Sequence, residues 1–214
     1  MSDMIREYFF TVPIFYIDVE NSKEINRKLI HDILEWKKED EKGTERSNNH
    51  GWHSQDDMNL RDEFEDIKNV INDKLNSISL MEQYSSEADL VIEGMWANVS
   101  PKYAYNSYHF HHNSLWSGVY YVQSPPNSGK ILFHKEWSRY QGVPKPTFSS
   151  SPPVHTHQWD SVSYEPIEGR VILFPSWIGH QVGQNLTDVE GEDGYRISIS
   201  FNIKQIDDTR WYLN

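Results

Sequence analysis

From residue 89 onward the chain is cut into short apolar stretches separated by turn residues, and this spacing limits the folds open to it. The stretches are 89–98, 103–110, 115–123, 130–134, 159–165, 170–174, 179–184 and 195–204. Their length, alternation and aromatic or β-branched content predict strands. Asn127-Ser128-Gly129 and Glu168-Gly169 read as turns, Thr147–Pro153 as a Ser/Pro loop and Asp188–Gly194 as an acidic, glycine-bearing loop. Eight short strands behind two helices suggest a jelly roll with helices packed on one face. An ordinary β-sandwich has the same strand statistics, so pattern alone leaves both open.

The segment before residue 89 reads differently. Residues 8–18 are aromatic and β-branched and predict a strand, with Pro13 favouring an edge or a bulge. Asn21, followed three residues later by Glu24, looks like a capped helix start. Ile25, Leu29, Ile33 and Trp36 continue at helical spacing, which predicts a helix over 22–39. Residues 40–59 are polar and read as a long loop. Phe64, Ile67, Ile71, Leu75 and Ile78 share one face of a second helix over about 61–81. The expectation is one domain over 1–214: an N-terminal strand and helices in 1–88, a β core in 89–204 and a tail in 205–214.

Composition removes several functions. The 214 residues include no cysteine, which excludes disulfides, thiolate metal sites and cysteine nucleophiles. A net charge of −12 argues against non-specific binding to DNA or RNA, which needs lysine and arginine on phosphates. No apolar run is long enough to span a membrane, and the aromatic stretch near the N-terminus does not read as a signal peptide. A cytoplasmic protein is expected, with a small molecule or a protein side chain as its substrate and no nucleic acid or membrane partner. The aromatic N-terminal strand could pair with a second copy to give a homodimer.

The chemistry-bearing residues are histidines and one arginine. His109-Phe110-His111 on a strand puts two imidazoles on the same face, as a metal requires of its first two ligands. His180 follows an apolar strand and a turn. His112, His134 and the pair His155-Thr156-His157 compete with these as ligands, the last pair in what reads as a loop. In Arg196-Ile197-Ser198-Ile199-Ser200-Phe201-Asn202 the arginine and serines share one face and the apolar residues the other. An inward arginine needs a partner, and a carboxylate is the partner that its planar fork fits best. Taken alone, each feature also has a surface reading: polar residues on a solvated strand face.

Taken in order, these residues resemble the Fe(II)- and 2-oxoglutarate-dependent oxygenase superfamily. The resemblance covers about residues 90–204 and is closer to a 2OG-Fe(II) oxygenase group of microbial and phage proteins. It rests on Trp96-Ala97-Asn98, His109-Phe110-His111, Ser117-Gly118-Val119-Tyr120-Tyr121-Val122, Leu173-Phe174-Pro175-Ser176-Trp177 and Arg196 to Asn202. It implies a double-stranded β-helix of the cupin-like jelly-roll type, mainly β with N-terminal helices. It implies Fe(II) on His109, His111 and His180. The far carboxylate of 2-oxoglutarate would lie on Arg196, helped by Ser198 and by a tyrosine, Tyr103 or Tyr121. The implied activity is that of a dioxygenase that hydroxylates a substrate C–H bond while 2-oxoglutarate becomes succinate and CO2.

Two departures from the superfamily pattern stand out. His111 occupies the place of the usual carboxylate ligand, unless Glu136 or Asp160 completes the site. A histidine there also argues against halogenation, which needs a small residue. The His180-to-Arg196 interval contains Thr187–Gly194 as an apparent insertion, expected near the mouth of the site as a lid. Trp96, Trp116 and Trp177 read as core or pocket wall, and Asn98 and Asn202 as candidates to orient ligands. Two other classes remain: a cupin-like three-histidine metal protein that does not use 2-oxoglutarate, which leaves Arg196 without a role, and a non-catalytic jelly-roll binding module.

Overall fold

The computed structural model of the chain describes residues 11–135, 147 and 149–207. In chain order the elements are β1 (Phe15–Asp18), α1 (Ser22–Glu39), β2 (Asn48–Asn49), β3 (Trp52–His53), α2 (Glu65–Met81), β4 (Ala88–Ser100) and β5 (Tyr105–His109). β6 (Trp116–Gln123), β7 (Ile131–His134), β8 (Ser161–Tyr164), β9 (Arg170–Pro175), β10 (His180–Val182) and β11 (Arg196–Asp207) follow. All eight strands expected after residue 89 form, within a few residues of their expected ends; β11 runs three residues further.

The strands make two sheets in which named neighbours pair antiparallel. One has the order β1-β9-β6-β11-β4-β3 and the other β2-β5-β10-β7-β8. Removing the edge strands β1, β2 and β3 leaves two facing four-stranded sheets whose consecutive strands, the paired β7 and β8 apart, switch from one to the other, the jelly roll. β1 is an edge strand, which is where a preceding Pro13 is tolerated.

Alternation along β11 sets the layering. Ile197, Ile199, Phe201 and Ile203 are fully buried and pack with Leu29, Ile33, Ile67 and Ile71 of the two helices. Burying each of these side chains contributes about 1.5–3 kcal/mol. Arg196, Ser198, Ser200 and Asn202 point the other way, into the space between the sheets. The helices thus take the apolar face of the sheet, and the polar face lines an interior cavity. A smaller core of Val119, Tyr121, Ile131, Phe133, Ile172 and Phe174 holds the two sheets together beside it.

Three local expectations change. Of the strand expected over 8–18, only Phe15–Asp18 forms among the described residues, with 11–14 outside it. Asn21 does not cap α1 with its side chain; it sits at φ 57, ψ 22, and Glu24 N–H bonds its backbone carbonyl instead. The left-handed backbone aims the carbonyl, rather than the side-chain amide, at the first turn. The long loop over 40–59 is not free of structure either. β2 adds to β5 and β3 adds to β4, so this segment is a strap laid from one sheet to the other. No helix of the described residues is long and apolar enough to cross a membrane.

Candidate metal and co-substrate site

β5 and β10 are neighbours, and their register sets His109 directly opposite His180. His111 lies just past β5, fixed by its backbone N–H on the Ser176 carbonyl at 2.9 Å. The ring centroids are 4.3 Å apart for His109 and His180, and 5.2 Å for His111 to each of the others. The ligand atoms of all three fall within 4.8 Å of one another.

Each ring is oriented by an oxygen acceptor on its Nδ1. His109 Nδ1 lies 2.7 Å from the Ser107 carbonyl and His180 Nδ1 lies 3.0 Å from the Ile178 carbonyl. His111 Nδ1 lies 2.6 Å from Asn202 Oδ1, which also accepts from the Ser117 hydroxyl at 2.8 Å. A carbonyl can only accept, so each Nδ1 carries the proton and each Nε2 keeps its lone pair. Burial, reinforced by the neighbouring His109, lowers the pKa of His111 to about 4 and of His180 to about 3. His109 is lowered as well, by burial. Three neutral imidazoles with Nε2 lone pairs, that of His109 3.4 Å from the Ser47 hydroxyl, fit a divalent transition metal, and their Nδ1 partners are the second set of contacts such ligands need. Among the described residues no carboxylate joins this group. Asp160 is exposed, away from the cavity, and Glu136 lies outside the described residues.

The same cavity, of about 610 Å³, reaches Arg196 at its other end. Arg196 is 2% exposed. Its Nη1 donates to the carbonyls of Ser128 and Gly183, the latter at 3.1 Å, and Nη2 to the Ser100 hydroxyl at 3.3 Å. No carboxylate of the described residues pairs with it. Burial brings its pKa down to about 10, so it stays charged at neutral pH, and pushes the neighbouring Tyr121 hydroxyl up to about 12. A buried cation short of a counter-charge is a site for an anion. Ser198 and Tyr121 line the cavity with it.

The structure does not bring Tyr103 to this place. It is 57% exposed at φ 72, beside Lys102, and does not line the cavity. Nor is the segment 187–194 a lid. β10 leads the chain away from His180, and the segment is tied to the end of β6, where Gln123 Nε2 donates to the Glu192 and Tyr195 carbonyls. His155 and His157 stack on each other at 5.5 Å in an exposed turn. Trp96 is cavity wall, Trp116 is core, and Trp177 is 56% exposed rather than either. Asn98 donates to the Ser200 hydroxyl at 3.1 Å and does not contact the histidines. Sequence reasoning missed Arg46, His53 and Asp56, which the strap delivers to the cavity. Their only signal was polarity within a segment that reads as loop.

A family model described as "Putative 2OG-Fe(II) oxygenase" matches residues 94–202, half of the chain. No curated protein sequence matches it. Among solved structures, a Pseudomonas putida prolyl-4-hydroxylase superposes with a TM-score of 0.62 at 14% identity, covering 91% of this chain and 93% of that one. HygX from Streptomyces hygroscopicus, solved with nickel, 2-oxoglutarate and hygromycin B bound, gives 0.56 at 10% identity over 91% and 83%. A viral collagen prolyl hydroxylase from Paramecium Bursaria Chlorella virus-1, solved as a 2-oxoglutarate complex, gives 0.54 at 13% over 89% and 94%. Identities this low establish the shared double-stranded β-helix fold, while the family match includes His109, His111, His180 and Arg196. The chain therefore belongs to the 2OG-Fe(II) oxygenases, enzymes that work with Fe(II) and 2-oxoglutarate.

Proposed function

We propose that His109, His111 and His180 hold Fe(II) through their Nε2 atoms, and that Arg196 and Ser198 bind the far carboxylate of 2-oxoglutarate with help from Tyr121. One observation carries the reading: three imidazoles with proton-fixed Nδ1 atoms and a buried, carboxylate-free guanidinium share one cavity. When bound, Fe(II) would activate O2, one oxygen atom going to the hydroxylated C–H bond and the other to 2-oxoglutarate, which leaves as succinate and CO2.

The protein's part is position and exclusion. The Ser107, Ile178 and Asn202 oxygens hold the three rings so that little ordering remains when the ion arrives. Arg196 and the Ser198 and Tyr121 hydroxyls supply donors for the carboxylate. Val119, Ile131 and Val182 line the wall between the two ends and keep it apolar. The substrate is a small molecule or a protein side chain.

The test is an anaerobic titration of the metal-free protein with Fe(II) and 2-oxoglutarate, following the visible charge-transfer band of the chelate. Wild type develops the band, Arg196→Ala weakens it at a given 2-oxoglutarate concentration, and His180→Ala abolishes it. Metal uptake with no band contradicts the co-substrate site and leaves a cupin-like metal protein.

A further inference from the structure

The cavity extends past the histidines to a part that neither the metal nor the co-substrate uses. Its wall is the strap that carries β2 and β3. β2 pairs with β5, and Ser107 N–H bonds the Ser47 carbonyl at 2.9 Å. At the other end Ser54 N–H bonds the Ala97 carbonyl at 3.0 Å and Met95 N–H bonds the Asp56 carbonyl at 3.1 Å. The strap is thus fixed to both sheets, and the side chains it carries have a set place.

Four of these residues line the cavity: Ser47, whose hydroxyl lies 3.4 Å from His109 Nε2, and Arg46, His53 and Asp56. The Arg46 guanidinium donates to the backbone carbonyl of Glu45 and its backbone N–H to Asn48 Oδ1, and neither Arg46 nor Asp56 belongs to any ion pair of the described residues. The two opposite charges line the same cavity as the His53 ring, yet they do not pair with each other. His53 is buried, and its Nδ1 lies 2.6 Å from the Ser54 carbonyl. That carbonyl fixes the proton on Nδ1 and leaves Nε2 as an acceptor. Trp96 lies between His53 and His111, stacked on the first at 5.4 Å and on the second at 5.8 Å. One indole therefore connects this subsite with the triad.

Resting on the oxygenase reading of the site, we infer that this subsite binds the head of a small zwitterionic substrate, a free α-amino acid. Its carboxylate takes the Arg46 guanidinium. Its ammonium takes the Asp56 carboxylate and the His53 Nε2 lone pair, and its side chain lies along Trp96 toward the histidines. A cation, an anion and a neutral acceptor left unpaired beside one aromatic floor match such a head group for charge and for hydrogen bonding. A residue inside a peptide carries neither charge on its backbone and leaves both side chains unmatched.

The experiment is calorimetric titration of the Fe(II)- and 2-oxoglutarate-loaded protein, without oxygen, with the common L-α-amino acids, their N-acetyl forms and their carboxamides. At least one free amino acid binds, and each blocking group weakens binding about tenfold or more, the worth of one charged hydrogen bond. Arg46→Gln removes the sensitivity to amidation and keeps that to acetylation; Asp56→Asn does the reverse. Both side chains are exposed, so the variants fold. The inference is overturned if no free amino acid binds, if blocked forms bind as well as free ones, or if both variants keep both sensitivities. Absence of the visible band before titration identifies a failure of the metal and co-substrate assignment instead. The same titration on metal-free protein then decides the subsite, since Arg46, His53 and Asp56 owe nothing to the ion.

Discussion

The single side chain on which most of the site turns is Asn202. Its Oδ1 accepts from both His111 and Ser117, and so fixes the ligand that stands where a carboxylate is usual. Asn202→Ala leaves two buried donors without an acceptor, and Fe(II) affinity in an anaerobic competition assay falls about 10–100-fold. Unchanged affinity shows that His111 does not need this anchor. At the opposite end, Arg196→Ala removes the only buried guanidinium of the described cavity. The Kd for 2-oxoglutarate rises about 100-fold, near 3 kcal/mol, while Fe(II) binding is retained. Period-two alternation made the polar face legible in the sequence: it put Arg196, Ser198 and Ser200 together, and Asn202 at the end of the same strand read as a candidate to orient a ligand. It could not reveal Arg46, His53 and Asp56, because only the pairing of β2 and β3 with distant strands brings them to the cavity. Tyr103 was named for its hydroxyl, and no local pattern discloses that a left-handed backbone turns it to solvent.

At the level of elements, two close approaches set the site. A Cβ on Gly118 would sit 2.3 Å from the Phe201 ring, between β6 and β11. Gly118→Ala forces that packed ring aside and costs about 1–3 kcal/mol, measured as a shift of the urea midpoint at constant slope. A Cβ on Gly129 would sit 2.2 Å from the Gly183 carbonyl and 2.7 Å from Arg196 Nη1, and the glycine has φ 93. Gly129→Ala therefore disturbs the guanidinium and weakens 2-oxoglutarate binding, again at constant Fe(II) affinity. The eight strands and both helices could be read from periodicity, since each repeats its own signal over several residues. The strap could not: two-residue strands carry no period, and their pairing is decided by the sheet edges they find.

For the whole molecule, the neutral histidines make stability depend on pH. In the unfolded chain they take up protons near pH 6.5, whereas in the fold burial holds His111 near 4 and His180 lower still. Below about 6.5 the unfolded state binds more protons than the native one, so stability is lost as pH falls from about 6.5 toward 4. The metal-free protein melts at progressively lower temperature over that window, and His180→Leu flattens the loss; a flat wild-type profile contradicts buried neutral rings. Fe(II) at 100 times its Kd stabilises the wild type by about 2.7 kcal/mol, which raises the Tm by about 5–10 °C. The most direct measurement is a crystal structure of the chain grown anaerobically with Fe(II) and 2-oxoglutarate. The account predicts iron on the Nε2 atoms of His109, His111 and His180, with the far carboxylate on Arg196. Iron held by a side-chain carboxylate in place of His111, or a co-substrate lying away from Arg196, contradicts it.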